Sequence, residues 1–180
     1  MDLKSLQKPL KDRYRADASA SRITLRAEGR GEGSGAGPVA CSVDIGRAVY
    51  EAQAHAGVGG PGTAGCSGDL LLGALAACAQ ITCQMVATAM GLEVRRIGVT
   101  VEGDLDLRGT LGVDREAPVG FTDIRLAFDI DAPGATEEQL DGLRRRTERY
   151  CVVMRTLTDP PPVAASWDGP QLSGGAGRKS

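Results

Sequence analysis

Residues 70–92 of this 180-residue chain carry no formal charge and read LLLGALAACAQITCQMVATAMGL. These small and aliphatic residues predict one long helix, with Ser67 as its N-cap, Asp69 in its first turn and Gly91 as its C-cap. Over this stretch a helix would span about 35 Å, which is enough to cross a bilayer. Two glutamines and two cysteines weaken a membrane interpretation, and no second such stretch exists. We therefore predict no membrane span and a helix that is buried on most sides.

A helix that is apolar on all sides needs more cover than one small sheet provides. Its small residues would let another helix or strand approach closely; they are Gly73, Ala74, Ala76 and Ala77. A second subunit would supply that cover. The sequence therefore predicts a homodimer.

The composition excludes several classes of function. The chain has 21 basic and 23 acidic side chains, so the basic excess typical of nucleic-acid binding is absent. His55 is its only histidine, and its five cysteines show no C-x-x-C spacing. A closed zinc site needs more ligands than this pattern offers. We predict no nucleic-acid partner, no metal ion and no cofactor.

The first four residues contain two charges and no apolar segment, so we predict no signal peptide. Together with an odd number of cysteines, this favours a reducing cytoplasm, where persistent disulfides are rare. The sequence thus predicts a cytoplasmic protein in which any disulfide is transient.

The rest of the chain predicts a mixed α+β domain. Alternating apolar residues indicate strands over 23–26, 39–43, 47–51, 94–106 and 121–130. The glycine-rich segments 29–37 and 55–65 are expected to form turns or loops, as is the charged segment 108–120. Thr136 and Gln139 stand at capping-box spacing and open a second helix, which three prolines at 160–162 would stop before a short strand at Val163.

Both ends of the chain differ from this pattern. Leu3, Leu6 and Leu10 follow a helical spacing within a polar segment, which predicts a peripheral N-terminal arm over residues 1–21. The domain itself is expected to span 22–166. Residues 167–180 form a predicted flexible tail, because SGGAGRKS has the composition of disordered segments.

Two cysteines occupy positions that allow either packing or chemistry. Cys78 falls in the middle of the apolar helix, where a free cysteine is commonly a small core residue. Cys83 lies about 140° further around that helix, so the two thiols do not share a face. We interpret Cys83 and Cys41 as structural. Cys151 falls at the end of the second helix and, taken alone, would also be a core residue.

Two segments resemble the OsmC/Ohr family of osmotically induced and organic hydroperoxide resistance proteins. CSGDLLLGALAAC, residues 66–78, resembles the family's central-helix motif, which ends in Ala-Ala-Cys after an acidic residue. ERYCVV, residues 148–153, resembles its second cysteine segment. The resemblance covers roughly residues 23–163. It implies an α+β fold in which antiparallel sheets wrap around a long central helix in an intertwined homodimer, with two sites at the interface.

The resemblance also implies a thiol peroxidase for oxidative-stress defence. Cys78 would attack an organic hydroperoxide and become a sulfenic acid, and Cys151 would condense with it. An external dithiol would then reduce the disulfide. A thiol buried in a helix has a raised pKa, so this chemistry needs a cation beside Cys78.

Family members supply that cation as an arginine held by a glutamate. The Gly-Arg-Gly segment around Arg30 resembles the family's Gly-Arg segment, so Arg30 is the candidate cation, and a solvated loop arginine is the alternative. At the position of the family's glutamate this chain has Gly57, and Glu51 could replace it only from a different backbone position. His55 and Cys66 flank the same loop and are candidate binding residues.

Two other functions fit the same residues. One is a non-enzymatic protein that binds an apolar small molecule, with Cys78 as a packing residue. The other is a redox sensor, in which the cysteines react without turnover.

Overall fold

The computed structural model describes residues 3–17, 28–30, 40–44, 48–112 and 114–167. Its helices are α1 (Leu3–Ala16), α2 (Ser67–Met90), α3 (Leu107–Thr110), α4 (Glu137–Tyr150) and α5 (Val152–Thr158). Its strands are β1 (Glu28–Arg30), β2 (Ala40–Asp44), β3 (Val49–Gln53), β4 (Arg96–Leu105) and β5 (Phe121–Asp131). The mixed α+β class and the long central helix are therefore confirmed.

The strands form two antiparallel sheets. One has the order β1–β2–β3, and Ser42 in its middle strand pairs with Arg30 on one side and Glu51 on the other. The second is the hairpin of β4 and β5, in which Val99 pairs with Phe128. Alternation along β5 points its apolar side chains toward α2, as the sequence pattern predicts.

The N-cap of α2 is Cys66, one residue before the predicted N-cap Ser67, so the helix begins at Ser67 itself. Cys66 is extended, and the Asp69 carboxylate accepts its backbone N–H at 2.8 Å. This contact fixes the cap at Cys66, since a side chain in the first turn reaches back to the N-cap three residues before it. At the other end Gly91 adopts φ = 72° and closes the helix as predicted.

One face of α2 is buried, and the β4–β5 hairpin, α4 and α5 together cover it. The buried residues of that face are Leu75, Ala79, Cys83, Val86 and Ala87. The opposite face is open, and Ile81 there is 55% exposed. The prediction of a helix buried on most sides is wrong for the single chain, because a two-stranded hairpin and two helices cover only one side.

By length and composition, α2 is also the one described helix that could cross a membrane. One such helix is a weak indication, since the core helix of a soluble domain passes the same test. Only 28% of its most apolar window is buried in the chain. The exposed apolar side chains of α2 therefore need a further surface to pack against.

The small sheet is tied to the start of α2 by one buried side chain. Gln53 accepts hydrogen bonds at its Oε1 from the N–H and hydroxyl of Thr63, at 3.2 and 3.0 Å, and from the N–H of Ala64 at 3.2 Å. Its own backbone N–H donates to the carbonyl of Gly65 at 3.0 Å. These bonds fix the loop that leads into α2.

Several local predictions differ from the structure. Gly29 and Arg30 were expected in a loop but form the end of strand β1. Strand β3 spans Val49–Gln53, two residues later than the predicted strand 47–51. Part of the predicted loop 108–120 belongs to α3. The strand expected at Val163 is wrong: the residue is 93% exposed, and the preceding prolines supply no N–H to a neighbouring strand. The predicted strand 23–26, the turn at 31–37 and the tail from 168 lie outside the described residues.

Candidate active site

Cys78 lies at the middle of α2, on the edge of its buried face. It is half-buried and packs against the cluster of Leu75, Ala79 and Cys151. Leu75 and Ala79 are 1% and 0% exposed, so the helix is immobilised on both sides of this thiol. The position gives Cys78 a fixed backbone and a side chain that solvent still reaches.

Cys151 lies at the junction of two helices. Its extended backbone, with φ = −70° and ψ = 106°, ends α4 and begins α5. Its N–H donates to the Thr147 carbonyl, and its own carbonyl accepts the Arg155 N–H, both at 2.9 Å. The side chain is fully buried. Because α5 packs on α2, the thiol of Cys151 meets that of Cys78.

The surroundings of the two thiols shift their pKa values in opposite directions. Burial raises the pKa of Cys78, but hydrogen bonds to its thiolate outweigh burial and hold that pKa below its ordinary value. The donors are the backbone N–H of Val153, the thiol of Cys151, the hydroxyl of Thr82 and the backbone N–H of Val152. Burial raises the pKa of Cys151, and the neighbouring Cys78 raises it further.

The opposite pKa shifts give the two thiols different reactivities. The thiolate is the reactive form of cysteine, so the lowered pKa favours Cys78 over Cys151 as the more reactive of the two thiols. Cys151 remains a thiol and donates its hydrogen bond to Cys78. The pair can therefore generate one nucleophile and hold a second sulfur within reach of it.

The other described cysteines lie away from this pair. Cys83 is 1% exposed, and burial raises the pKa of its thiol, which supports its interpretation as a core residue. Cys66 lies twelve residues before Cys78, about 18 Å along the helix axis. The four described cysteines are all free thiols, and the side chain of Cys41 lies outside the description.

His55 lies near Cys66, beside the start of α2. Its Nδ1 accepts the Gly57 N–H at 3.0 Å, and its side chain is exposed. The backbone N–H and the thiol of Cys66, with a smaller contribution from His55, lower the pKa of Asp69. Within one chain, His55 and Cys66 are thus neighbours of each other and not of Cys78.

Arg30 is placed by its backbone alone. It ends β1 opposite Ser42, which in turn pairs with Glu51, so the three residues stand in one row across the small sheet. The side chain of Arg30 is outside the part of the chain that the structure describes.

A sequence model of OsmC-like proteins matches residues 60–166, which is more than half of the chain and includes both members of the thiol pair. The chain belongs to the OsmC-like family.

Solved OsmC-like structures share this fold at low sequence identity. An OsmC-like protein from Mycoplasma pneumoniae is 16% identical with a TM-score of 0.57, over 77% of this chain and 88% of that one. Organic hydroperoxide resistance proteins from Legionella pneumophila and Elizabethkingia anophelis are both 17% identical, with TM-scores of 0.54 and 0.56. Each alignment covers 77% of this chain and 91% of the other. Among curated proteins, none matches this sequence.

Two features of this OsmC-like site were not predicted from the sequence. One is helix α5, whose first backbone N–H groups approach Cys78. The four-residue spacing of Val153 and Leu157 is typical of a helix and could have predicted α5. The other is Thr82, whose Oγ1 lies 4.0 Å from the Cys78 Sγ. It stands four residues after Cys78, so helical spacing alone could have identified it. In the described ranges, no three His, Cys, Asp or Glu side chains come together as a metal site.

Proposed function

We propose that this OsmC-like protein is a thiol-dependent peroxidase that reduces organic hydroperoxides in oxidative-stress defence. The observation that carries the proposal is the contact between Cys78 and Cys151, with the pKa of the first lowered and that of the second raised. The names of the Legionella and Elizabethkingia proteins with the same fold support the choice of substrate.

The reaction has three balanced steps. The Cys78 thiolate attacks the O–O bond of a hydroperoxide, which leaves a sulfenic acid on Cys78 and, after protonation, an alcohol. The Cys151 thiol then displaces water from that sulfenic acid and forms a disulfide. An external dithiol exchanges with the disulfide, is itself oxidised and restores both thiols.

We further propose a cytoplasmic homodimer in which a second chain covers the open face of α2. That face exposes Leu71, Ile81 and Met85 in the single chain, which is unusual for so apolar a helix. The odd number of cysteines, five, fits a reducing compartment. For His55 and Cys66 to line the Cys78 site, they would have to come from the second chain.

Turnover tests the proposed function. The reduced protein is expected to consume cumene hydroperoxide catalytically with dithiothreitol, measured as peroxide lost per mole of protein. Oxidation of the cysteines without turnover would instead indicate a redox sensor. If Cys78 stays reduced, the peroxidase proposal is wrong and a non-enzymatic binding protein is the better account.

We propose Arg30 as the cation that assists Cys78, and alkylation measures its effect. Since the pKa of Cys78 is lowered, its rate of reaction with iodoacetamide should rise with pH and level off below the pH at which an ordinary cysteine does. Arg30→Ala should move that midpoint upward and slow alkylation at pH 7, because the thiolate loses a favourable charge. Circular dichroism checks that the fold is retained.

Arg145→Ala is a matched control, because Arg145 is an exposed arginine that pairs with Asp141. The Arg145→Ala variant should leave the pH dependence of Cys78 alkylation unchanged. If Arg30→Ala also leaves it in place, the hydrogen bonds already described activate the thiol without this arginine.

A further inference from the structure

A cavity of 150 Å³ lies between α2, β5 and α4, beside the core cluster that contains Leu143. Its apolar lining comes from Cys83, Phe128, Ile130 and Leu143. Cys83 and Leu143 are 1% and 0% exposed, so the inner end of the cavity belongs to the core. Neither thiol of the reactive pair lines it. The cavity is therefore separate from the candidate active site.

One wall of this cavity carries a buried polar group without a partner. Thr147 lines the cavity and is 2% exposed, and its Oγ1 has no hydrogen-bond partner among the residues that the structure describes. The neighbouring Cys83 does not satisfy this hydroxyl, because burial raises the pKa of Cys83 and keeps it a thiol, which is a weak hydrogen-bonding group. Native structures rarely leave a buried hydroxyl unpaired. The Thr147 hydroxyl therefore indicates the place of a polar atom of a ligand.

The mouth of the cavity carries no net charge. The two exposed residues of its lining are Arg144 and Glu148, which pair with each other at 3.4 Å. Arg144 also pairs with Asp141 at 2.7 Å. An exposed ion pair of this kind contributes little to stability, so its separation costs little and lets a small molecule pass. The entrance therefore favours neither an anion nor a cation.

The volume and the lining decide which ligand fits. An apolar cavity of about this size can hold one benzene-sized molecule. A buried water makes about three hydrogen bonds, and the inner lining offers it only one free hydroxyl and one thiol. A small ring with a single hydroxyl group would instead pair with Thr147 and bury the rest of its surface against apolar side chains.

We propose that this cavity is a second binding site, which takes a neutral ring of about the size of phenol with one hydroxyl group. The ring lies among Phe128, Ile130 and Leu143, and its hydroxyl pairs with Thr147 Oγ1. The site goes beyond the proposed peroxidase and does not depend on it, since it uses neither Cys78 nor its partner thiol.

Phenol and toluene test the proposal on the reduced full-length chain, with both Kd values measured by amide NMR titration. The two molecules have nearly the same shape, and only phenol can form a hydrogen bond with Thr147. Thr147→Val keeps the shape of the wall and removes its hydroxyl. The affinity of phenol relative to toluene should therefore fall about fivefold or more in this variant, as expected for the loss of one hydrogen bond. The comparison cancels the different hydration of the two ligands.

Thr88→Val is the matched control. Thr88 is an exposed threonine of α2 that does not line the cavity, and its hydroxyl donates to the carbonyl of Gln84 at 2.9 Å. The control should leave the relative affinity of phenol unchanged. Benzoate should not bind the wild-type protein, because its carboxylate would have to be buried without a cationic partner.

Three results would overturn the second site. They are the absence of phenol-induced shifts at Leu143 and Thr147, an unchanged relative affinity in Thr147→Val, and protection of Cys78 from iodoacetamide by phenol. If Thr147→Val does not fold, Ile130→Phe decides, because it fills the cavity from the opposite wall and should weaken both ligands. Binding that persists in Ile130→Phe would contradict the proposal. Peroxide turnover enters none of these measurements, so the site and the proposed peroxidase stand or fail separately.

Discussion

Stoichiometric cumene hydroperoxide is expected to convert the reduced protein to a form with one disulfide, between Cys78 and Cys151. A disulfide requires Cα atoms within about 7 Å of each other, and here the two thiols already contact one another. Peptide mapping by mass spectrometry identifies the linkage. Cys78→Ser should lower turnover on the order of 10³-fold or more, because the nucleophile is removed.

Cys151→Ser separates the two steps of this chemistry. Cys78 should still react, but its sulfenic acid has no resolving thiol and should persist or proceed to sulfinic and sulfonic acids. Cys83→Ala is the matched control, since Cys83 lies in the other core cluster. A Cys66–Cys78 linkage would instead make the loop cysteine the resolving residue and leave Cys151 as a core residue.

The second large effect is expected at the open face of α2. The protein should sediment as a dimer at micromolar concentration, because dissociation would expose an apolar helix to water. Ile81→Lys would place an unpaired charge into that interface from both chains, since a two-fold interface repeats each residue. We expect dimer dissociation to become at least about a hundredfold more favourable, as measured by sedimentation velocity across a dilution series.

Val119→Lys is the matched control for this experiment. Val119 is 66% exposed in the loop before β5, and Ile81 is 55% exposed, so both substitutions introduce a lysine at an accessible apolar position. The control should remain dimeric. A wild-type protein that is folded and monomeric at micromolar concentration would contradict the dimer.

Local signals placed most of the secondary structure correctly. Asp69 and Gly91 mark the two ends of α2, and the pattern 121–130 matches β5 almost residue for residue. Thr136 and Gln139 form the predicted capping box, with bonds of 3.2 and 2.8 Å. The helix caps are decided by residues within about four positions of each other, so the sequence contains the whole interaction. The alternation of β5 repeats every two residues, so the sequence also shows which of its side chains share a face.

Some local predictions depended on more distant neighbours and were wrong for that reason. Gly29 has the composition of a turn but lies in a strand because β2 pairs with it. Val163 has the composition of a strand but has no such neighbour in the described structure and stays exposed. Strand formation requires a partner, and the amino-acid pattern does not identify one.

Cys78 and Cys151 could be selected from the sequence by their resemblance to a family motif, but their chemistry could not be derived from it. The sequence determined that one cysteine sits in a long apolar helix and that another follows a second helix, 73 residues later. Only the tertiary structure brought them into contact, because the packing of α5 on α2 depends on both helices and the hairpin between them. The opposite pKa shifts of the two thiols follow from that packing, since hydrogen bonds and burial act through space and not along the chain.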